Sequence, residues 1–368
     1  MMRRREVFIP AIQTTEALLQ SWDLDTIGLL LQQSPLASED LEDSRSIYMN
    51  GIAKILEESL ACDISVSIIK EENPDAVQEV LEVHRCIIAA QDPDFYKTNF
   101  QKADGGHSET TSIKGDPEEI RGRIRACYGL GTPICAQRPD GAYRHVSQGL
   151  SELLSGTQAL APTDVLIIGS SEAKADTLEK WRIEAHAAVL CAQSEYFCAL
   201  LTHQWTSECV LGKHVIRVDS DHFPQNTFLQ LLFMCYAIVP VDPRTTGIEY
   251  LFELIEGAQY FGMDAVVRLV EESIAANRLT HDTLLDVWRF AEESGAKFLE
   301  KTCCRSLASE IQEMHIEGKV NLASFSQLKN VLMSEHLGAH EDKILEIVLA
   351  WLQANPVHPE EKRKELIE

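Results

Sequence analysis

The chain has 368 residues, 45% of them hydrophobic, and a formal net charge of −24 from 57 acidic and 33 basic residues. This length allows about two to three domains, and the apolar share is ordinary for a packed globular chain. The acidic excess is spread over helix faces rather than gathered in a tail. It disfavours direct nucleic-acid binding, which leaves a basic footprint, and it would speed encounter with a basic protein surface.

The start of the sequence carries no charged-then-apolar secretory pattern, and Arg3-Arg4-Arg5 is too short for a targeting signal. Met1-Met2-Arg3 lacks the glycine that N-myristoylation needs. The longest apolar stretch, Leu231–Val241, falls short of the ~20 residues of a membrane helix. No membrane insertion is expected, and the expected location is intracellular, in the cytoplasm and/or nucleus.

Leu18-Leu19-Gln20-Ser21-Trp22-Asp23 leads into Leu29-Leu30-Leu31, and residues 1–44 are expected to form a helical extension. An apolar helix is expected over Ile47–Leu60. Next comes a short strand opened by an aspartate, Asp63-Ile64-Ser65-Val66-Ser67-Ile68, then a loop and a second strand reaching Val83-His84. A helix starts there. Ile87, Ile88 and Ala90 share one face, and Asp92-Pro93 stops it. A second helix carries Phe95 and Tyr96, and a later one ends at Cys127-Tyr128-Gly129.

The same series then returns. Asp164-Val165-Leu166-Ile167-Ile168 repeats the strand, and Ala185-His186 repeats the corner. Val189, Leu190 and Ala192 repeat the apolar face, and Tyr196, Phe197, Leu200 and Leu201 form the aromatic helix. A third strand, His214–Asp219, alternates polar and apolar residues, and a helix led by Pro224 ends at Tyr236. The spacing of about 100 residues is that of a small domain, not the ~20–50 of a solenoid unit. After Leu130, Pro133, Pro139 and Gly141 break the chain, so copy one looks truncated at its end; the helix near His145–Leu154 could close copy one or open copy two, and the second is the expectation. The loops between the first two strands, Lys70–Leu81 and Gly169–Lys180, look long.

From Ile248 to Trp351 there is no proline, and the apolar spacing is helical throughout. Expected helices include Val266–Ile274, one from Leu284 terminated by Gly295, Leu299–Ile311, Ser324–Leu332 and Glu341–Leu352. Asp264 and Asp282 are the expected N-terminal caps. Such helices with short joints stack as hairpins.

These residues resemble the BTB (POZ) family, an α/β interaction module. The resemblance rests on Asp63 and Asp164 before the strands, on His84-Arg85 and His186 at the helix starts, and on Tyr128-Gly129 and Tyr236 at the closing helices. Copy two departs from the pattern with Ala187 for the basic residue and Ala237 for the glycine. The helical region resembles a BACK domain. The fold class expected is α+β: two BTB/POZ modules over 45–143 and 144–276, an all-α BACK-type array over 277–355, and a tail over 356–368. Chains of this plan, including the group of BTB domain-containing protein seven, are similar over nearly the whole length.

The resemblance implies a non-catalytic adaptor of a cullin-3 ubiquitin ligase. Its cullin-facing residues would be Leu201, Trp205 and Glu208, although the acidic position of the family motif falls on Ser207. Copy one offers Phe100-Gln101-Lys102, without the acid. The other function it implies is a ubiquitin-independent scaffold in epithelial remodelling and cell–cell adhesion. It also implies self-association, either between chains or between the two copies of one chain, with Ile47–Leu60 and Val146–Leu154 as pairing helices.

No catalytic set, cofactor or metal site is expected. The ten cysteines form no CxxC pair and are expected to be free thiols. His84 and His186 have no nucleophile or orienting acid nearby in sequence, so a structural role at the corner is expected. His336 and His340 lack the HExxH order.

Overall fold

A computed structural model of the chain describes residues 43–70, 77–100, 110–130, 146–153, 161–171, 178–202, 209–210, 212–219, 222–239, 242 and 244–356. The N-terminal extension, Trp205, Glu208 and the region of Pro133–Gly141 lie outside the described residues. The described chain divides into two compact units. One runs from Asp43 to Asp242 and takes in 253–269, and the other comprises 244–252 and 270–356.

The first unit is built from two sheets with matching plans. Helix α1 (Ser44–Glu57) precedes β1 (Ile64–Ile69) and β2 (Val77–Val83). Then come α2 (Arg85–Gln91), α3 (Pro93–Asn99), β3 (Thr110–Lys114) and α4 (Pro117–Cys127). A helix over 146–153, α5, precedes β4 (Val165–Ser171), β5 (Leu178–Ala185), α6 (Ala187–Gln193) and α7 (Glu195–Thr202). Short β6 (Cys209–Val210), β7 (Lys213–Asp219) and α8 (Gln225–Cys235) complete the second half.

The strand orders are β2-β1-β3 and β5-β4-β7-β6. In each sheet the central strand pairs antiparallel with the next and parallel with the third. The repeat extends to the irregularities. β1 shifts register between Ile68 and Ile69, and β4 shifts at the equivalent Gly169 and Ser170. Bulges of this kind bend a strand and tighten its twist. A side chain at Gly169 would overlap the Trp181 indole, which stacks on Phe228.

Two expectations are corrected here, and one strand was not anticipated. The loops between the first two strands are shorter than read, because β2 already starts at Val77 and β4 runs on to Ser171. Copy one has its own third strand, Thr110–Lys114, and only Ile113 in it is buried, so no alternation marks it. The helix over 146–153 does precede the second copy in sequence, but its packing is on the first.

The second unit is helical. It contains the first part of α9 (Ile248–Tyr260) and most of α10 (Asp264–Asn277). α11 (Leu284–Ser294), α12 (Lys297–Ser309), α13 (Ile311–Ile316), a 3-10 turn (Lys319–Leu322), α14 (Phe325–Leu332) and α15 (Glu341–Ala354) follow. Gly295 closes α11 in the left-handed region at φ 72°. Ser324 and Gln327 form a reciprocal capping box at α14. Trp288 and Trp351 are fully buried, and the Trp351 indole donates to the Ala323 carbonyl at 2.9 Å.

The two expected caps are corrected. Asp264 is the first residue of α10. Asp282 pairs with Lys319 at 2.7 Å, while the cap position of α11 is Thr283, whose hydroxyl donates to the Arg278 carbonyl.

Candidate functional site

The signature residues meet at the first turns of α2 and α6. A helix start leaves backbone N–H groups without intrahelical partners, and here they are filled from distant parts of the sequence. Asp63 accepts from the Arg85 N–H at 2.8 Å, and Asp164 accepts from the Ala187 N–H at 2.8 Å. The Tyr128 hydroxyl accepts from the His84 N–H at 3.0 Å, and the Tyr236 hydroxyl accepts from the His186 N–H at 2.9 Å. Each hydroxyl also contacts the histidine Nδ1, at 2.7 and 2.8 Å. The Asp, His and Tyr of each copy thus tie the first strand, the helix start and the closing helix together.

Both imidazoles are buried. His84 Nε2 lies 2.6 Å from the Leu60 carbonyl, whereas His186 Nε2 is buried without a hydrogen-bond partner, with the Ala161 carbonyl only nearby. Burial lowers both pKa values, His186 to about 4, with these carbonyls opposing. The rings are therefore neutral hydrogen-bonding elements near pH 7. Cys62 lies 3.6 Å from His84, and burial, then Glu82 and Asp63, push its pKa up to about 12.

The copies differ where their sequences do. Arg85 pairs with Asp63 at 3.6 Å. Ala187 supplies no such cation, and burial raises the Asp164 pKa. After the tyrosines the chain turns left-handed in both copies, at Gly129 (φ 74°) and Ala237 (φ 58°). The alanine there is one of few non-glycine residues to adopt this region.

The expected pairing helices do make the contacts, but sequence reading missed which half each one packs on: the leading helices are exchanged. α1, which precedes copy one, packs on α6 of copy two. The Tyr48 hydroxyl donates to the Cys235 carbonyl at 2.8 Å, and the Gln193 amide donates to the Tyr48 carbonyl at 3.1 Å. α5, which precedes copy two, packs on α2 of copy one, where the Gln91 amide donates to the Val146 carbonyl at 2.9 Å.

Gly51 and Gly149 make the close approach possible. A Cβ on Gly51 would lie 2.0 Å from the Ala192 carbonyl oxygen, and one on Gly149 would lie 2.6 Å from that of Ala90. Tyr48 matches Val146, Gly51 matches Gly149, Ile52 matches Leu150, and Ile55 matches Leu153. The signal was present as Asn50-Gly51-Ile52 against Gln148-Gly149-Leu150, a glycine kept inside a helix.

Of the expected cullin-facing residues, Leu201 lies in the last turn of α7 and is partly exposed, while Trp205 and Glu208 lie outside the described residues. In copy one, Phe100 is only 3% exposed. It stacks on Tyr96 and meets Phe95 edge-on, so it belongs to the core and cannot serve as a surface anchor. Among the described residues there is no cluster of three or more His, Cys, Asp or Glu suited to a metal, and no helix is long and apolar enough to cross a membrane.

Residues 174–278 match the BTB/POZ domain family and residues 284–368 match the BACK family, described as BTB and C-terminal Kelch. The chain therefore carries a BTB/POZ domain followed by a BACK domain, both interaction modules of a generally non-catalytic kind. The family match covers one BTB/POZ domain, in the second copy. No curated protein matches the chain.

Proposed function

We propose that this protein is a non-catalytic interaction module that acts as a substrate adaptor of a cullin-3 ubiquitin ligase. The observation that carries the reading is the order of its parts, with BTB/POZ at 174–278 and BACK directly after it at 284–368. On this reading, copy two docks the ligase at the end of α7, through Leu201 and the following Trp205 and Glu208. The target binds elsewhere, on copy one or the distal helices. Burial of Phe100 supports assigning the dock to copy two, because the apolar residue described at the corresponding corner of copy one is held in the core.

The first half, 45–143, is on the same reading a divergent BTB/POZ module paired with the second, 144–276. The common strand order, the shared bulge and the repeated Asp–His–Tyr set support this. The exchanged helices support pairing within one chain, where tethering gives an effective concentration of roughly mM. The place of action is the cytoplasm and/or nucleus.

A second reading, a ubiquitin-independent scaffold, is favoured by Ser207 at the acidic position of the cullin motif. On a helix, a one-residue displacement to Glu208 turns the side chain by about 100°. The test is light-scattering chromatography of the full chain, alone and with the N-terminal domain of cullin-3. A complex lost on Trp205→Ala supports the adaptor. No complex with both proteins concentrated removes it and leaves the scaffold.

A further inference from the structure

We propose that His281 is a proton-operated clip, which fastens the joint between α10 and α11 to both ends of α13 while its ring carries two protons and lets one end go when it carries one. The observation is a carboxylate at each ring nitrogen. Nε2 lies 2.6 Å from an oxygen of Glu310, and Nδ1 lies 3.1 Å from an oxygen of Glu317. Glu310 and Glu317 stand immediately before and after α13, so one imidazole bridges the two ends of that helix. The second Glu317 oxygen takes Lys319 at 2.6 Å, and Lys319 also holds Asp282, the neighbour of His281, at 2.7 Å. All these groups belong to the second unit, and the clip is independent of any cullin contact.

Only the imidazolium satisfies both contacts. An ionised carboxylate accepts and does not donate, while a neutral imidazole has one N–H and one lone pair. In the neutral ring, one nitrogen would turn its lone pair on a carboxylate oxygen at hydrogen-bond distance, and that contact must open. Glu310 makes the shorter contact and keeps the remaining N–H. Glu317 is the one to leave, because Lys319 still holds it. Gly318, next in the chain, sits in the left-handed region at φ 73°, and a Cβ there would meet nothing within 4 Å, so this end of α13 has room to move. It carries Ile316, 84% exposed, and beyond the turn Leu322, 72% exposed, so loss of the proton loosens a surface that shows apolar groups to solvent.

The surrounding charges set the sign. Glu317 and then Glu310 raise the His281 pKa above its ordinary 6.5, with burial slightly opposing. A raised folded value means that the stabilisation is fully present below 6.5 and is lost as pH rises through the folded value. The other charged groups on the packed elements are engaged elsewhere or exposed. Arg278 of the joint donates to the Thr246 carbonyl, Lys319 is shared between Asp282 and Glu317, and His315 of α13 lies within electrostatic reach of Glu346 on α15. Glu313, the one further acid of α13, is exposed. The His281 side chain is 31% exposed, so salt should weaken the clip.

The test is a pH titration of the full chain with two readouts. One is the histidine Cε1–H signal by NMR, with that of His281 identified by its loss in His281→Gln. The other is amide hydrogen exchange over 311–322, corrected for the intrinsic pH dependence. The His281 midpoint should lie above 6.5 and should fall in Glu317→Gln. Protection of 311–322 should drop about 1.5- to 5-fold as pH rises through that midpoint, the range that one exposed ion pair supplies, and should show no such step in His281→Gln. A midpoint at or below 6.5 overturns the proposal. So does equal protection on the two sides of the midpoint, or a midpoint that Glu317→Gln leaves unmoved. The first two are read on the parent chain, so they stand even where a variant fails to fold.

Discussion

Gly51→Ala probes the exchange of helices most directly. In an open helix this change is favourable, since alanine exceeds glycine by about 1 kcal/mol in helix propensity. Gly122 in α4 provides that reference, because a Cβ there meets nothing within 4 Å. At Gly51 the added carbon would lie 2.0 Å from the Ala192 carbonyl oxygen and 3.1 Å from its carbon. Non-bonded carbon contacts sit at about 3.5–4.0 Å, so α1 must retreat by more than about 1 Å, and the obstacle is backbone that cannot rotate away. Overpacking of this kind costs about 1–3 kcal/mol or more. The retreat also stretches the Tyr48–Cys235 and Gln193–Tyr48 hydrogen bonds, each worth about 1 kcal/mol. After the propensity gain, Gly51→Ala should destabilise the first unit by about 2–4 kcal/mol, whereas Gly122→Ala should stabilise it by up to about 1. Urea unfolding followed by tryptophan fluorescence and by circular dichroism measures both. A Gly51→Ala chain as stable as Gly122→Ala would refute the packing of α1 on α6.

The remaining predictions concern the corners. Tyr236→Phe removes the hydroxyl that takes the buried His186 N–H and should cost about 1–3 kcal/mol in urea unfolding, with Tyr128→Phe similar at His84. A loss under about 0.5 kcal/mol in both would show that the hydroxyls carry no structural role. The His186 pKa, lowered by burial to about 4 from 6.5, fixes the sign of a pH effect. Between those values the unfolded chain binds a proton that the folded one does not, so stability falls as pH drops from about 6.5 towards about 4. At about 1.4 kcal/mol per pH unit the loss amounts to roughly 3 kcal/mol. The raised Asp164 opposes it at the acid end of the window, because its folded form holds a proton longer. Unfolding midpoints at pH 7 and pH 5 test this, and His186→Gln should flatten the slope. An unchanged slope in that variant would contradict the assignment.

Most element types were legible because their periodicities are local. The alternation of His214–Asp219 decides a conformation within a few residues, whereas the helix at Ile87 was read correctly but its face was not, since Cys86 and Ala89 are buried with Ile87 and Ile88 and Ala90 is only partly so. The Asp63, His84 and Tyr128 set was legible as a recurrence, though not as a mechanism, since which N–H each residue serves depends on a fold that brings distant positions together. Strand β3 was hidden because an edge strand with only Ile113 buried has no second apolar position to set a period. The capping error at α11 came from treating Asp282 as a free acceptor when Lys319, distant in sequence, holds it. The exchange of α1 and α5 was invisible to amphipathicity, because an apolar stripe says that a helix is buried without saying against what.

On the proposed pairing inside one chain, the two halves are free to differ at their contact. In a symmetric homodimer every substitution at the interface appears twice, so a close contact and its mate must change together. Here Tyr48 reaches the Cys235 carbonyl, while Val146, its counterpart, offers only a backbone carbonyl to Gln91. Gly51 approaches its neighbour more closely than Gly149 does. Copy one keeps the Arg85–Asp63 pair and closes Phe100 into its core. The second half has Ala187 where the first has Arg85 and Ala237 where it has Gly129, yet makes the same aspartate, histidine and tyrosine bonds. What the two copies share is what the corner needs in order to fold, and what they do not share is the surface on which separate binding roles can be carried.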